Sequence, residues 1–278
     1  MKKTPMKISV LGCGWLGFPL AQHLLKQGHS IKGSTTSEGK ISILSQADIE
    51  PYLLYLPNDI DSDKLNPFLE SEILFLNIPP ARGDKNVTES YPSLIKSIAD
   101  KVAASSIKWV IFASSTSVYN SNGGFTEESD AKPGSAARPS GEAVLKAEKT
   151  LQNHSSFSST IIRFGGLYGY ERHPVRYLAG KKNMKEPAKP INLIHQDDCI
   201  RIIEAIIKQD KQDEVYNAVS DGHPPRQEFY RASAIHFGLE PPEFDDGPTA
   251  SDRVVSNRKL KEELDYQFRY PNPLDHTA

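Results

Sequence analysis

Only two cysteines, Cys13 and Cys199, occur in the 278 residues. Two thiols cannot build a disulfide framework, so an apolar core must hold the fold, and the scarcity fits a reducing, cytoplasmic setting. No basic stretch stands out and the formal net charge is -2, so neither nucleic acid nor an anionic membrane is expected as a partner. No apolar run is long enough to span a bilayer. Met1 to Met6 carry two lysines but no separate apolar segment or cleavage site, and no signal peptide is expected. His, Cys and Asp never cluster with metal-ligand spacing, and no Gly-x-Ser-x-Gly elbow occurs, so neither a metal site nor that serine chemistry is expected. Internal repeats, low-complexity tracts and flexible linkers are also lacking. With 38% hydrophobic and 24% charged residues, the composition is that of a globular protein.

What is present begins at once. The apolar run Ile8-Ser9-Val10-Leu11 stops at Gly12-Cys13-Gly14-Trp15-Leu16-Gly17, and a helical pattern follows to Gln27. Strand, Gly-x-Gly-x-x-Gly turn and helix in that order form a dinucleotide fingerprint. Gly12 allows the tight turn, Gly14 lets a pyrophosphate approach the backbone, and Gly17 lets helix and strand pack closely. The diphosphate would rest on unpaired N–H groups at the positive helix end. Cys13 reads as a small filler in a crowded turn.

Strand and helix signals then alternate. Strands are expected over 30–35, 52–56, 73–78, 109–114 and 160–164, with helices over 16–27, 39–46, 89–104 and 140–152. Near-continuous apolar strands joined by helices predict an α/β fold, a doubly wound parallel sheet. Beyond Gly166 prolines shorten the pieces, with a helix over 197–208, a strand over 214–218 and a helix over 226–237. Residues 1–166 are therefore expected to form a dinucleotide-binding domain. Residues 167–278 are expected to form a smaller C-terminal α/β substrate lobe, interleaved with it as one structural unit, with ligands between them above the carboxyl ends of the strands.

The end of the second strand selects the cofactor. An acidic residue there bonds the ribose 2′-OH and repels a 2′-phosphate. Lys32-Gly33-Ser34-Thr35-Thr36-Ser37 holds no acid before Glu38. The hydroxyls, with Lys40 or Lys32, favour NADP over NAD.

Val110-Ile111-Phe112-Ala113-Ser114-Ser115-Thr116-Ser117-Val118-Tyr119 resembles the fifth-strand segment of the extended short-chain dehydrogenases/reductases, the sugar-nucleotide epimerase/dehydratase group. So do Thr126-Glu127-Glu128, Pro139 to Glu148, Arg163 to Gly169 and Ile194-His195-Gln196-Asp197-Asp198, in the group's order and over nearly the whole chain. The resemblance implies a Rossmann-type fold and a nicotinamide cofactor. The residues expected to meet the cofactor are the turn residues 12–17, Ser34, Thr35 and Thr36, the strand exit Ile78, Pro79 and Pro80, which also reads as a rigid surface turn, and Ser114.

The departures concern catalysis. The group's Tyr and Lys stand four residues apart, with a helix Glu four beyond the Lys. Anchored on Glu148, the Tyr position holds Ser140 and the Lys position Val144, neither of which can do the work. Lys146 lies about 200° round the helix from the needed face. The Asn of the tetrad is missing from 89–104, and only its Ser survives, as Ser115. The pattern is that of atypical short-chain dehydrogenases.

The catalytic candidates are therefore Ser115, whose hydroxyl could donate to a carbonyl oxygen or bond local backbone at the strand end, and the phenols of Tyr119 and Tyr168, which read as acids or as packing and core aromatics. Arg82, Arg163 and His195 are candidate substrate contacts, the last two also reading as an ion pair and a helix-start residue. Asp197 or Asp198 reads as the N-cap of its helix. The expected function is an NADP-dependent oxidoreductase or epimerase-like activity on a small polar hydroxyl or carbonyl compound, with a sugar nucleotide as one such substrate. The alternative is a non-enzymatic NADP-binding redox sensor or regulatory protein. Helices 89–104 and 140–152 make a dimer bundle in many relatives. Their apolar stripes here are no wider than a sheet-covering face needs, which leaves homodimerisation open.

Overall fold

Period-two alternation on seven segments sends apolar side chains to both faces of one sheet. In the computed structural model, which describes residues 4–120, 124–247 and 253–275, these are β1 Lys7–Leu11, β2 Ser30–Thr35, β3 Glu50–Leu53, β4 Ile73–Leu76, β5 Trp109–Ser115, β6 Ser158–Phe164 and β7 Val215–Ala218. All pairings are parallel, in the order β3-β2-β1-β4-β5-β6-β7. The order reverses between β1 and β4, and it is there that open sheets of this kind bind ligands.

On one face Ile8, Val10, Phe75 and Ile111 pack under helix α1 (Gly17–Lys26) and helix α5 (Gln196–Gln209). On the other, Leu74, Leu76, Val110 and Phe112 pack under α3 (Val87–Ala103) and α4 (Pro139–Gln152). A short helix α2 (Ile41–Gln46) follows β2, and α6 (Arg226–His236) and α7 (Arg258–Leu264) lie in the C-terminal third. Of the apolar stripe positions on these two helices, Tyr91, Ile95, Ile98, Val102, Ala143, Val144, Ala147 and Leu151 are buried within the chain and Leu94 is half-buried.

The elements fall close to expectation, with differences that have local causes. β3 starts at Glu50, where the ladder to Lys32 begins, because pairing and not apolarity sets its start. β4 stops at Leu76, before Pro79 and Pro80; Asn77 adds one last rung to Leu11. The helix expected over 39–46 opens with a 3₁₀ turn, Glu38–Lys40. The strand expected over 214–218 returns to the large sheet as its edge strand β7, so residues beyond 166 complete the sheet as well as facing it. Two short parallel pairs, Gly166–Tyr168 with Leu193–His195 and Phe125–Thr126 with Val254–Val255, lie outside it.

The tightest backbone contact is at the start of α1. A Cβ on Gly17 would lie 2.1 Å from the Gly12 carbonyl oxygen. Gly17→Ala is therefore expected to cost about 1–3 kcal/mol of stability, read from the urea midpoint; an unchanged midpoint would refute this approach.

Candidate functional site

Above the carboxyl ends of β1, β4 and β5 lies a cavity of about 1170 Å³. That exceeds the usual single-ligand range of about 300–1,000 Å³. The glycine turn forms its floor. Gly12, at φ 105°, takes a conformation that suits glycine, and a Cβ there would come within 2.5 Å of the Asn77 carbonyl. Its N–H donates to Ser34 Oγ at 2.9 Å, Asn77 Nδ2 donates to its carbonyl at 3.0 Å, and the Cys13 N–H donates to the Ser34 carbonyl. Ser34 and Asn77 thus build the turn from either side. Gly14 is exposed with open space where a Cβ would stand. No side chain caps α1 and no acid sits in its first turn, so its unsatisfied N–H groups and positive end suit an anion.

Charge on the wall agrees. Lys40, Arg82 and Arg172 line the cavity, and none joins an ion pair among the described residues. The wall's carboxylate is Asp84; bonds from the Ser90 hydroxyl and the Asn86 N–H hold it below the ordinary range. A diphosphate-bearing ligand fits this donor set. Lys32, the other cation considered beside β2, instead donates to the Pro67 carbonyl, away from the cavity.

Of the expected cofactor residues, Gly12, Cys13, Gly14, Trp15, Leu16, Ser34, Thr35, Thr36, Ile78, Pro79, Pro80 and Ser114 line the cavity; Gly17 lies behind it. Ser34 holds the turn and Thr35 Oγ1 accepts the Ser37 N–H, which leaves Thr36 as the exposed hydroxyl. Burial pushes the Cys13 thiol up to about 12, against a lowering bond from Ser34 and the charge of Lys40. It is an inert filler.

Several catalytic and substrate candidates lie elsewhere. Arg163 does not reach the cavity: its Nε and Nη2 grip the fully buried Glu148 at 2.7–3.2 Å, and its Nη1 donates to the Tyr119 hydroxyl and the Glu128 carbonyl. Burial would lower its pKa, but the Glu148 bonds and charge outweigh that and raise it. Tyr119 is buried off the wall, its hydroxyl donating to Asn217 Oδ1 at 2.6 Å. Burial drives it up to about 12, offset in part by Arg163 and Asn217, so it is no acid for the cavity. Tyr168 is wholly buried, and burial, then the Asp198 charge, raise its pKa. Neither phenol belongs to the site.

His195 is also buried. Its Nδ1 accepts the Asp197 N–H at 3.1 Å, so the histidine, not Asp197 or Asp198, caps α5. Its ring lies 3.7 Å from that of Tyr270. Asp198 instead accepts from the Tyr266 hydroxyl and from the N–H groups of Arg269 and Tyr270, docking the C-terminal segment.

What remains at the β5 end is Ser115, Val144 and the segment Phe164–Leu167. Ser115 Oγ accepts the Ser117 N–H at 3.1 Å, which leaves its proton to donate. Ser114 donates to Glu148. Val144 stands on the wall where the resemblance implies Lys, and Lys146 turns away to bond Thr88 and Glu89 on α3. Sequence reasoning missed Asn77, Arg172 and the role of Glu148. Asn77 directly follows a buried strand, a usable signal. Arg172 shows no pattern at all, being placed by a loop from the far side of the cleft.

Arg163→Met is expected to cost about 3–5 kcal/mol, because it leaves Glu148 buried and unpaired. Urea unfolding measures this. An unchanged midpoint with a loss confined to ligand affinity would return Arg163 to the substrate.

No protein-family model matches this sequence. Protein YeeZ of Escherichia coli (strain K12) is 32% identical over 271 residues, 96% of this chain and 97% of its own length. Among solved structures, a provisionally assigned NAD-dependent epimerase/dehydratase from Methylobacillus flagellatus is 24% identical with a TM-score of 0.75. UDP-glucuronic acid 4-epimerase from Bacillus cereus, solved with UDP-glucuronic acid and NAD, is 19% identical with a TM-score of 0.78. Each covers 98% of this chain and 96% of its own. The structures share the fold, with its Rossmann-like parallel sheet. The chain belongs to the family of Protein YeeZ.

Proposed function

We propose that the cavity binds a nicotinamide dinucleotide, NADP in preference to NAD, and that the protein is an oxidoreductase acting on a small polar hydroxyl or carbonyl compound. One observation carries the reading: an open glycine turn and an uncapped helix start share one cavity, at the sheet's switch point, with cations that join no ion pair among the described residues. The NAD and UDP-glucuronic acid held by the Bacillus cereus epimerase support a dinucleotide, and a sugar nucleotide as one substrate class.

The wall supports an orientation. Leu54, Leu56, Ile78 and Leu94 are apolar members of the wall, suited to a flat base. Thr36 and Lys40 follow β2 with no carboxylate of that segment on the wall, which suits a 2′-phosphate. Ser115 at the end of β5 and Val144 on α4 also line the cavity. A bound nicotinamide would supply hydride exchange there. Ser115 would hold and polarise a carbonyl oxygen through its free proton. It does not ionise near neutrality, so it orients and cannot serve as a base. Val144 favours the second reading, a dinucleotide-binding sensor, because no amine replaces the missing Lys.

Titrating the protein with NADPH and NADH and following NADPH oxidation with aldehydes, ketones and sugar nucleotides tests both readings. NADPH should bind more tightly than NADH, one carbonyl compound should be reduced, and Ser115→Ala should lower kcat about 100-fold or more. Tighter NADH binding refutes NADP, binding without turnover selects the sensor, and no binding of either refutes the site.

A further inference from the structure

We infer that Arg172 clamps the diphosphate of the bound dinucleotide from the side opposite the glycine turn; this rests on the proposed site. After the short strand Gly166–Tyr168 the chain makes a closed turn. Gly169 and Arg172 exchange both backbone hydrogen bonds, at 3.0 and 2.9 Å. Two features fix that turn on the start of α5. The Tyr170 hydroxyl donates to the Asp197 carboxylate at 2.9 Å, holding Tyr170 at φ 42°, a conformation non-glycine residues rarely adopt. Gly169 lies so close to His195 that a Cβ would meet Nε2 at 2.7 Å.

The turn aims Arg172 across the cleft. Its guanidinium carbon stands 5.1 Å from the centroid of the Trp15 ring. Trp15 is a residue of the glycine turn itself, and its carbonyl accepts Gln196 Nε2 at 2.5 Å. Both partners are therefore tied to the first residues of α5. Arg163 has its donors committed in a buried pair, whereas Arg172 is exposed on the cavity wall and joins no ion pair among the described residues. A guanidinium stacked on an aromatic face keeps its planar fork of N–H donors for phosphate oxygens. Backbone N–H groups would meet the diphosphate from below and Arg172 from above. The anionic group of a second ligand would offer the same chemistry, but contact with the turn's own tryptophan favours the cofactor.

The test titrates dinucleotide into the full chain and follows tryptophan emission at low and high salt. Trp109 is buried and bonded to Thr160, so Trp15 should report the event. Arg172→Met should raise Kd about 10- to 100-fold, as for loss of a charged hydrogen bond. It should also flatten the salt dependence of Kd, with Arg172→Lys falling between and the unfolding midpoint unchanged. Unchanged Kd and salt dependence in Arg172→Met overturn the clamp alone, as does a defect confined to KM for a second substrate. Failure of the wild-type chain to bind either dinucleotide overturns both the clamp and the site beneath it.

Discussion

The buried Glu148–Arg163 pair is the interaction around which the rest of the site is arranged. A fully buried carboxylate is tolerable only when paired and hydrogen-bonded. Arg163 on β6 and Ser114 on β5 meet Glu148 from the sheet, while α4 carries Glu148 above it. The same guanidinium fixes the Tyr119 hydroxyl and the Glu128 carbonyl. Four segments distant in sequence are locked at one point behind the cavity wall. The price is chemical: Arg163, Tyr119 and Ser114, three groups that could have served a reaction, are occupied in holding the wall.

That arrangement explains which parts of the site were legible in sequence. The glycine turn was, because its function depends on local backbone geometry, and Gly12, Gly14 and Gly17 declare that geometry by residue type. The strands were legible because near-continuous apolar runs have few other uses, and their errors fall at the ends, where pairing and proline decide. Arg163, Tyr119, Tyr168 and His195 left two readings open in sequence, because strand-end polar residues look alike whether they face a cleft or a core. Only their partners separate the cases: Glu148 lies 15 residues from Arg163 and Asn217 lies 98 from Tyr119. Arg172 was invisible for the same reason in reverse, since its use depends on a turn pinned to Asp197 and His195.

The cavity that results is specialised at one end and plain at the other. Around the turn lie backbone donors and cations that join no ion pair among the described residues, a set that a diphosphate fits. At the β5 end the described residues of the wall offer a serine hydroxyl, a valine and glycines, with no Tyr or Lys at the positions where the resemblance implies them.

A crystal structure at saturating dinucleotide tests the central claim most directly. The account predicts diphosphate oxygens against the N–H groups at the start of α1 and nicotinamide C4 beside Ser115 and Val144. A dinucleotide bound elsewhere, or reversed with its nicotinamide against Leu54, Leu56 and Leu94, would contradict it.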